Sequence, residues 1–170
     1  MFDLSQYRRL RVEPLTGTTG AELFDVDVAQ LDDETFAEVR RAFNQFGVIF
    51  FRDQQLDPDS LAAFAARFGP PVVSYARDGH SAHPVGRMHR APETPRTERN
   101  LGDRWHADQS SRTEPNMAVA LYCLEAPPWG GDTLFANLWE AYEGLAPGLK
   151  QMCEPLIALH SLSGIYGTDG

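Results

Sequence analysis

Positive charge is what this chain has least of. Lys150 is its only lysine, and 15 basic residues face 24 acidic ones for a formal net charge of −9. That deficit excludes a general nucleic-acid or anionic-membrane surface, each of which needs a basic stripe. A small anionic ligand stays admissible, since a few arginines can line a pocket inside an acidic protein. Cysteine is also scarce. Cys123 and Cys153 stand in no CxxC spacing, so neither a disulfide framework nor a zinc knuckle is expected. Both are read as reduced, partly buried thiols, Cys123 lying within an apolar run. No apolar stretch reaches membrane length, and Met1 to Arg9 holds no signal core. The expectation is a cytoplasmic protein with no membrane partner.

What is there reads as one domain of ordinary composition, long enough at 170 residues to bury a core. Leu10 to Leu15 is expected as a strand closed by the Thr16 to Gly20 turn, and Ala21 to Val28 as a second. Asp32 or Asp33 caps a helix whose stripe is Phe36, Val39, Phe43 and Phe46, and Gly47 stops it. Val48 to Phe51 is a continuous apolar run, expected as a central strand buried on both faces. Asp57-Pro58-Asp59 opens a helix that buries Leu61, Phe64, Ala65 and Phe68 and ends at Gly69-Pro70-Pro71. Val72 to Tyr75 reads as a strand. Residues 76–104 are polar and proline-rich with weak periodicity, the pattern of a lid, with His83 to His89 as its one candidate strand. Later, Thr133 to Phe135 and Pro155 to Ser161 read as strands. Between them Asn137 caps a helix turning Leu138, Tyr142 and Leu145 inward, and a short helix covers Leu149 to Cys153. Short strands with turn punctuation and leading helices point to a β-rich α+β fold, a double-stranded β-helix (jelly-roll) with flanking helices.

The chemistry centres on Trp105-His106-Ala107-Asp108. On a strand, His106 and Asp108 would share a face, because residues i and i+2 point the same way. Imidazole plus carboxylate is two thirds of the 2-His-1-carboxylate triad that holds non-heme Fe(II) with open positions. By itself the pair reads more often as a hydrogen-bonded surface pair. Downstream come the apolar run Met117 to Leu124, the turn Pro127-Pro128-Trp129, and Gly130-Gly131-Asp132-Thr133-Leu134-Phe135. Upstream stand Gly47-Val48-Ile49-Phe50-Phe51-Arg52-Asp53-Gln54 and Arg67-Phe68-Gly69. From about Val12 to His160, this order resembles the taurine catabolism dioxygenase (TauD/TfdA) family of Fe(II)- and 2-oxoglutarate-dependent oxygenases.

That resemblance implies a set of roles. His106 and Asp108 would be the first two iron ligands. Thr133 would bond the distal carboxylate of 2-oxoglutarate, and Leu121 would pack against the cosubstrate. Ser74, Tyr75, Asn100 and Gln109 lie where substrate contacts occur in related enzymes. Fe(II), 2-oxoglutarate and O2 are the implied cofactor, cosubstrate and oxidant, acting on a small, anionic organic molecule. Homo-oligomers are admissible. The sulfonate-oxidising members carry a histidine just after the Phe-Gly helix end, where this chain has Val72-Val73-Ser74-Tyr75, which argues against taurine itself. Gly130 and Gly131 suit a tight turn or positive φ, a structural role.

The family's third ligand, a late histidine, and its 2-oxoglutarate arginine have no counterpart here. His160 is not promoted to ligand, and no arginine follows Thr133. The expectation is an N-terminal portion of a longer dioxygenase, inactive alone and with apolar faces exposed. Two rivals stand beside it. One is a non-catalytic jelly-roll binding module that retains part of the ligand set. The other is a cupin-type hydrolase or isomerase, disfavoured because residues 109–114 supply no further histidine.

Overall fold

The computed structural model describes residues 2–72, 84–86 and 105–161. Two compact units divide the chain, Met1–Ser60 with Tyr122–Leu156, and Leu61–Leu121 with Ile157–Gly170.

The first unit is built on a three-stranded sheet in the order β1-β2-β3. Strands β1 (Arg11–Pro14) and β2 (Ala21–Phe24) are antiparallel, with Val12 opposite Leu23 and Pro14 opposite Ala21. Val12, Ala21 and Leu23 are buried, while Arg11 lays its guanidinium over the cross-strand Phe24 ring, 3.8 Å from its centroid. Pro14 is tolerated because β1 is an edge strand, where a missing N–H breaks no central ladder. Strand β3 (Ile49–Phe50) pairs parallel to β2, Ala21 opposite Ile49. A parallel partner demands a long crossover. A 3₁₀ turn at Val28–Gln30 and helix α1 (Asp33–Phe46) supply it.

Helix α1 starts and stops on local chemistry. Asp32 caps it, its carboxylate accepting from Thr35 N at 2.7 Å, and Asp33 and Glu34 place negative charge at the positive end of the helix dipole. Gly47 closes it at φ 72°, its N–H donating to Phe43 O at 2.8 Å. Phe36, Val39, Ala42 and Phe46 form its buried face. Each large one contributes about 1.5–3 kcal/mol by leaving water. Glu38 is buried on the same helix. Its carboxylate accepts the backbone N–H groups of Arg8 (3.0 and 3.1 Å) and Arg9 (3.0 Å), so the N-terminal arm is fastened to α1. Phe2 stacks on Phe46 and the Tyr7 hydroxyl donates to Gln45 in the same arm.

Helix α2 (Pro58–Ala66) begins with Pro58 in its first turn and the Asp57 carboxylate accepting from Ser60 N at 2.8 Å. Phe64 is its buried residue, in edge contact with Phe68. Later come α3 (Leu138–Glu143), capped by Asn137, and α4 (Pro147–Cys153), which opens on Pro147.

Several expectations need correction. Val48–Phe51 is half-buried, and its strand is an edge of the three-stranded sheet, not a doubly covered centre. Trp105–Asp108, Met117–Leu124, Thr133–Phe135 and Pro155–Ser161 form no strand, so the two facing sheets of a jelly-roll are not seen among the described residues. A run of apolar residues becomes a strand only when a partner completes its hydrogen bonds, and no ladder to these four stretches is seen among the described residues. Leu138 and Tyr142 face solvent and not inward, and Cys123 is exposed. The later half keeps much apolar surface: Ile157 is 96% exposed and Trp129 84%. Val72–Tyr75, apart from exposed Val72, lies outside the described residues. So does residues 76–104, except 84–86, which form no strand.

The Glu38 clasp should read out in stability. Glu38→Ala strands two backbone donors and is expected to lower the unfolding free energy by about 2–3 kcal/mol in urea melts, with Glu38→Gln intermediate. The Asp57 carboxyl is held below its ordinary value, chiefly by the Ser60 hydroxyl and then by the Ser60 N–H. A depressed folded pKa means this support for α2 is present above the ordinary carboxylate range and is lost as pH falls through the lowered value. NMR titration should give a midpoint below that of a free aspartate, and Ser60→Ala should raise it.

Candidate metal centre

His106 and Asp108 meet although no strand carries them. Ser110 N donates to Ala107 O (3.3 Å) and Arg112 N to Gln109 O (2.9 Å), so the chain turns directly after the pair. His106 Nε2 stands 3.1 Å from Asp108 Oδ1, both side chains about half-exposed. The expected meeting of the two side chains is therefore present, but a turn and not pleat alternation brings it about.

That spacing fits a shared ion. Two neighbouring donors of a six-coordinate metal at about 2.1 Å stand about 3.0 Å apart. A neutral imidazole nitrogen and an ionised carboxylate oxygen are the donors such a metal takes. The same two atoms can hold a proton between them, so metal and proton compete for the pair. Among the described residues no group of three or more metal-binding side chains assembles.

Gln109 follows immediately and carries two irregularities. Its φ is 56°, uncommon for a residue with a Cβ, and its side-chain oxygen is buried without a hydrogen-bond partner. Trp105, beside the pair in sequence, is 70% exposed. Leu121 is 77% exposed although it lies in an apolar run. His106, Asp108, Gln109 and Leu121 belong to one compact unit, and Thr133 to the other. Thr133 is exposed, just past Gly130 and Gly131, whose φ values of 79° and 76° bear out the expected turn. Ser74, Tyr75 and Asn100 lie outside the described residues.

Residues 11–169 match the model of the taurine catabolism dioxygenase TauD, TfdA family. The chain belongs to that family. It is 31% identical over 155 residues to (S)-phenoxypropionate/alpha-ketoglutarate-dioxygenase of Sphingobium herbicidovorans, across 89% of this chain and 53% of that protein. Alpha-ketoglutarate-dependent sulfate ester dioxygenase of Pseudomonas putida is 33% identical, across 89% and 50%. Among solved structures, a taurine dioxygenase from Burkholderia xenovorans matches with TM-score 0.64 at 30% identity, over 87% of this chain and 52% of that one. AAD-2 in complex with Mn(II) and N-oxalylglycine matches with TM-score 0.68 at 25% identity, over 95% and 56%. The chain spans about half the length of the curated relatives it matches.

Sequence reading noted Asn137 only as a helix cap and overlooked Gln54 and Tyr122 as structural ties. A polar residue in a loop gives no signal of the backbone atom it will reach.

If His106 and Asp108 are ligands, His106→Ala and Asp108→Ala should each weaken Mn(II) binding at least about tenfold in the full-length protein. Thr133→Ala should leave it unchanged. Calorimetric titration with Mn(II) makes the comparison.

Proposed function

We propose that the whole protein is an Fe(II)- and 2-oxoglutarate-dependent dioxygenase that hydroxylates a small organic anion. The observation that carries this reading is the 3.1 Å approach of His106 Nε2 to Asp108 Oδ1 in a chain of this family. The proposed fold of the whole protein is a double-stranded β-helix with flanking helices. Residues 1–170 are its N-terminal part, and 76–104 a lid over the metal. A third histidine ligand and an arginine for 2-oxoglutarate are expected outside these residues, so this chain alone is expected to be inactive. The cytoplasm is the proposed compartment; no helix among the described residues is long and apolar enough to cross a membrane.

The division of labour follows from residue chemistry. Bound Fe(II) with 2-oxoglutarate supplies the oxidising power: one O2 is divided between succinate, formed with loss of CO2, and the new hydroxyl of the substrate. His106 and Asp108 would hold the metal, the imidazole as a neutral nitrogen donor and the carboxylate as an ionised oxygen donor. The Thr133 hydroxyl donates to the distal carboxylate of 2-oxoglutarate, a charge-assisted bond that fixes the far end of the cosubstrate. Leu121 offers it an apolar wall. Ser74, Tyr75, Asn100 and Gln109 are the proposed substrate contacts, with the unpartnered oxygen of Gln109 free to accept a hydrogen bond from the substrate or a water that orients it. Phenoxypropionate, sulfate esters and sulfonates in the names of the relatives support an anionic substrate.

Anaerobic addition of Fe(II) and 2-oxoglutarate tests the reading through the weak visible charge-transfer band of the chelated cosubstrate. The full-length protein should show the band and His106→Ala should lose it, while residues 1–170 alone should show none. No band in the full-length protein would remove the dioxygenase reading and favour a non-catalytic binding module. A band in residues 1–170 alone would mean that another side chain, His160 first among them, completes the ligand set.

A further inference from the structure

Thr133 sits in a stretch that no ladder holds, yet a hydroxyl that is to meet a carboxylate needs a fixed position. The segment around it is instead tied at three points to β3 and to the loops that flank the N-terminal sheet, all inside one compact unit. The Tyr122 hydroxyl donates to the main-chain carbonyl of Gln54 at 3.0 Å. The Phe135 ring meets Phe50 of β3 edge-on, with centroids 6.4 Å apart. The Asn137 side-chain nitrogen donates to the main-chain carbonyl of Thr18 at 3.1 Å.

Both accepting carbonyls are fixed in advance. The Gln54 side chain accepts from Val28 N (2.9 Å) and donates to Val26 O (3.1 Å) and Arg52 O (2.8 Å), which leaves its own backbone little freedom. Thr18 lies in a turn closed by Leu15 N to Gly20 O (2.9 Å) and by Thr19 N to Thr16 Oγ1 (2.9 Å). That turn is itself bound to the end of α1, since the Thr19 hydroxyl and Gly20 N both donate to Phe46 O. Asn137 does two jobs with one amide. Its oxygen caps α3 by accepting from Glu140 N at 3.2 Å, and its nitrogen makes the Thr18 tie. Thr133 is four residues from Asn137 and two from Phe135, bracketed on its other side by Tyr122.

We propose that Tyr122 and Asn137 are positioning residues for Thr133, transmitting the rigidity of the N-terminal sheet to the hydroxyl that receives the distal carboxylate of 2-oxoglutarate. This rests on the dioxygenase reading above. Each acts through the backbone between 122 and 137.

Two conservative variants of the full-length, Fe(II)-loaded protein test it. Tyr122→Phe removes one hydroxyl. Asn137→Asp keeps an oxygen to cap α3 but loses the N–H that reaches Thr18. Each should weaken 2-oxoglutarate binding by about fivefold, the worth of one ordinary hydrogen bond. Binding of pyruvate, a 2-oxo acid with no distal carboxylate, should not change, nor should Fe(II) affinity. In a Thr133→Val background, Tyr122→Phe should add no further loss. Unchanged 2-oxoglutarate binding in both variants overturns the proposal. An equal loss for pyruvate also overturns it, because general damage to the fold would weaken both acids. Failure of the unmodified protein to bind 2-oxoglutarate at all would remove the dioxygenase reading itself, a result distinct from either.

Discussion

Burial of one face of α1 is the constraint on which the N-terminal unit depends. Val39, Ala42 and Phe46 leave water against a sheet whose Ala21 and Leu23 are likewise buried. The parallel pairing of β2 and β3 is possible only because α1 spans the crossover between them. Every later tie uses this frame. Glu38 fastens the arm to it, Phe46 O anchors the Thr16–Gly20 turn, and Gln54 and Thr18 offer fixed carbonyls to residues more than sixty positions away.

The His106–Asp108 pair obeys a different logic. His106 and Asp108 meet where the chain enters the turn from Ala107 to Ser110, so their approach needs no sheet. Local turns can set two donors. They cannot by themselves bury them, and both side chains stay about half-exposed.

Both boundaries of α1 and the start of α2 were legible because they rest on short-range chemistry; the end of α2 was not, since the helix stops at Ala66, short of Gly69, and of Leu61, Phe64, Ala65 and Phe68 only Phe64 is buried. Asp32 reaches Thr35, Asp57 reaches Ser60, and Gly47 takes a φ that a larger residue resists. Of the expected stripe Phe36, Val39, Phe43 and Phe46, all but the half-buried Phe43 are buried, since helical periodicity is a property of neighbours. The stretches that failed are those whose outcome depends on a distant partner. Val48–Phe51 is apolar enough for a central strand, yet among the described residues its strand, Ile49–Phe50, has a ladder with β2 alone. Thr133–Phe135 has strand composition and no ladder.

The sequence by itself determined the helix caps, the positive-φ glycine turn at Gly130-Gly131, and the family membership carried by His106, Asp108 and the Gly-Gly-Asp-Thr run. These depend on residue identity and spacing over a few positions. Only the tertiary structure decided that β3 is an edge, that Leu121 and Trp105 face solvent, and that Tyr122 and Asn137 reach Gln54 and Thr18. Those outcomes depend on which backbone atoms lie opposite one another after the chain has folded, and side-chain type carries no record of that.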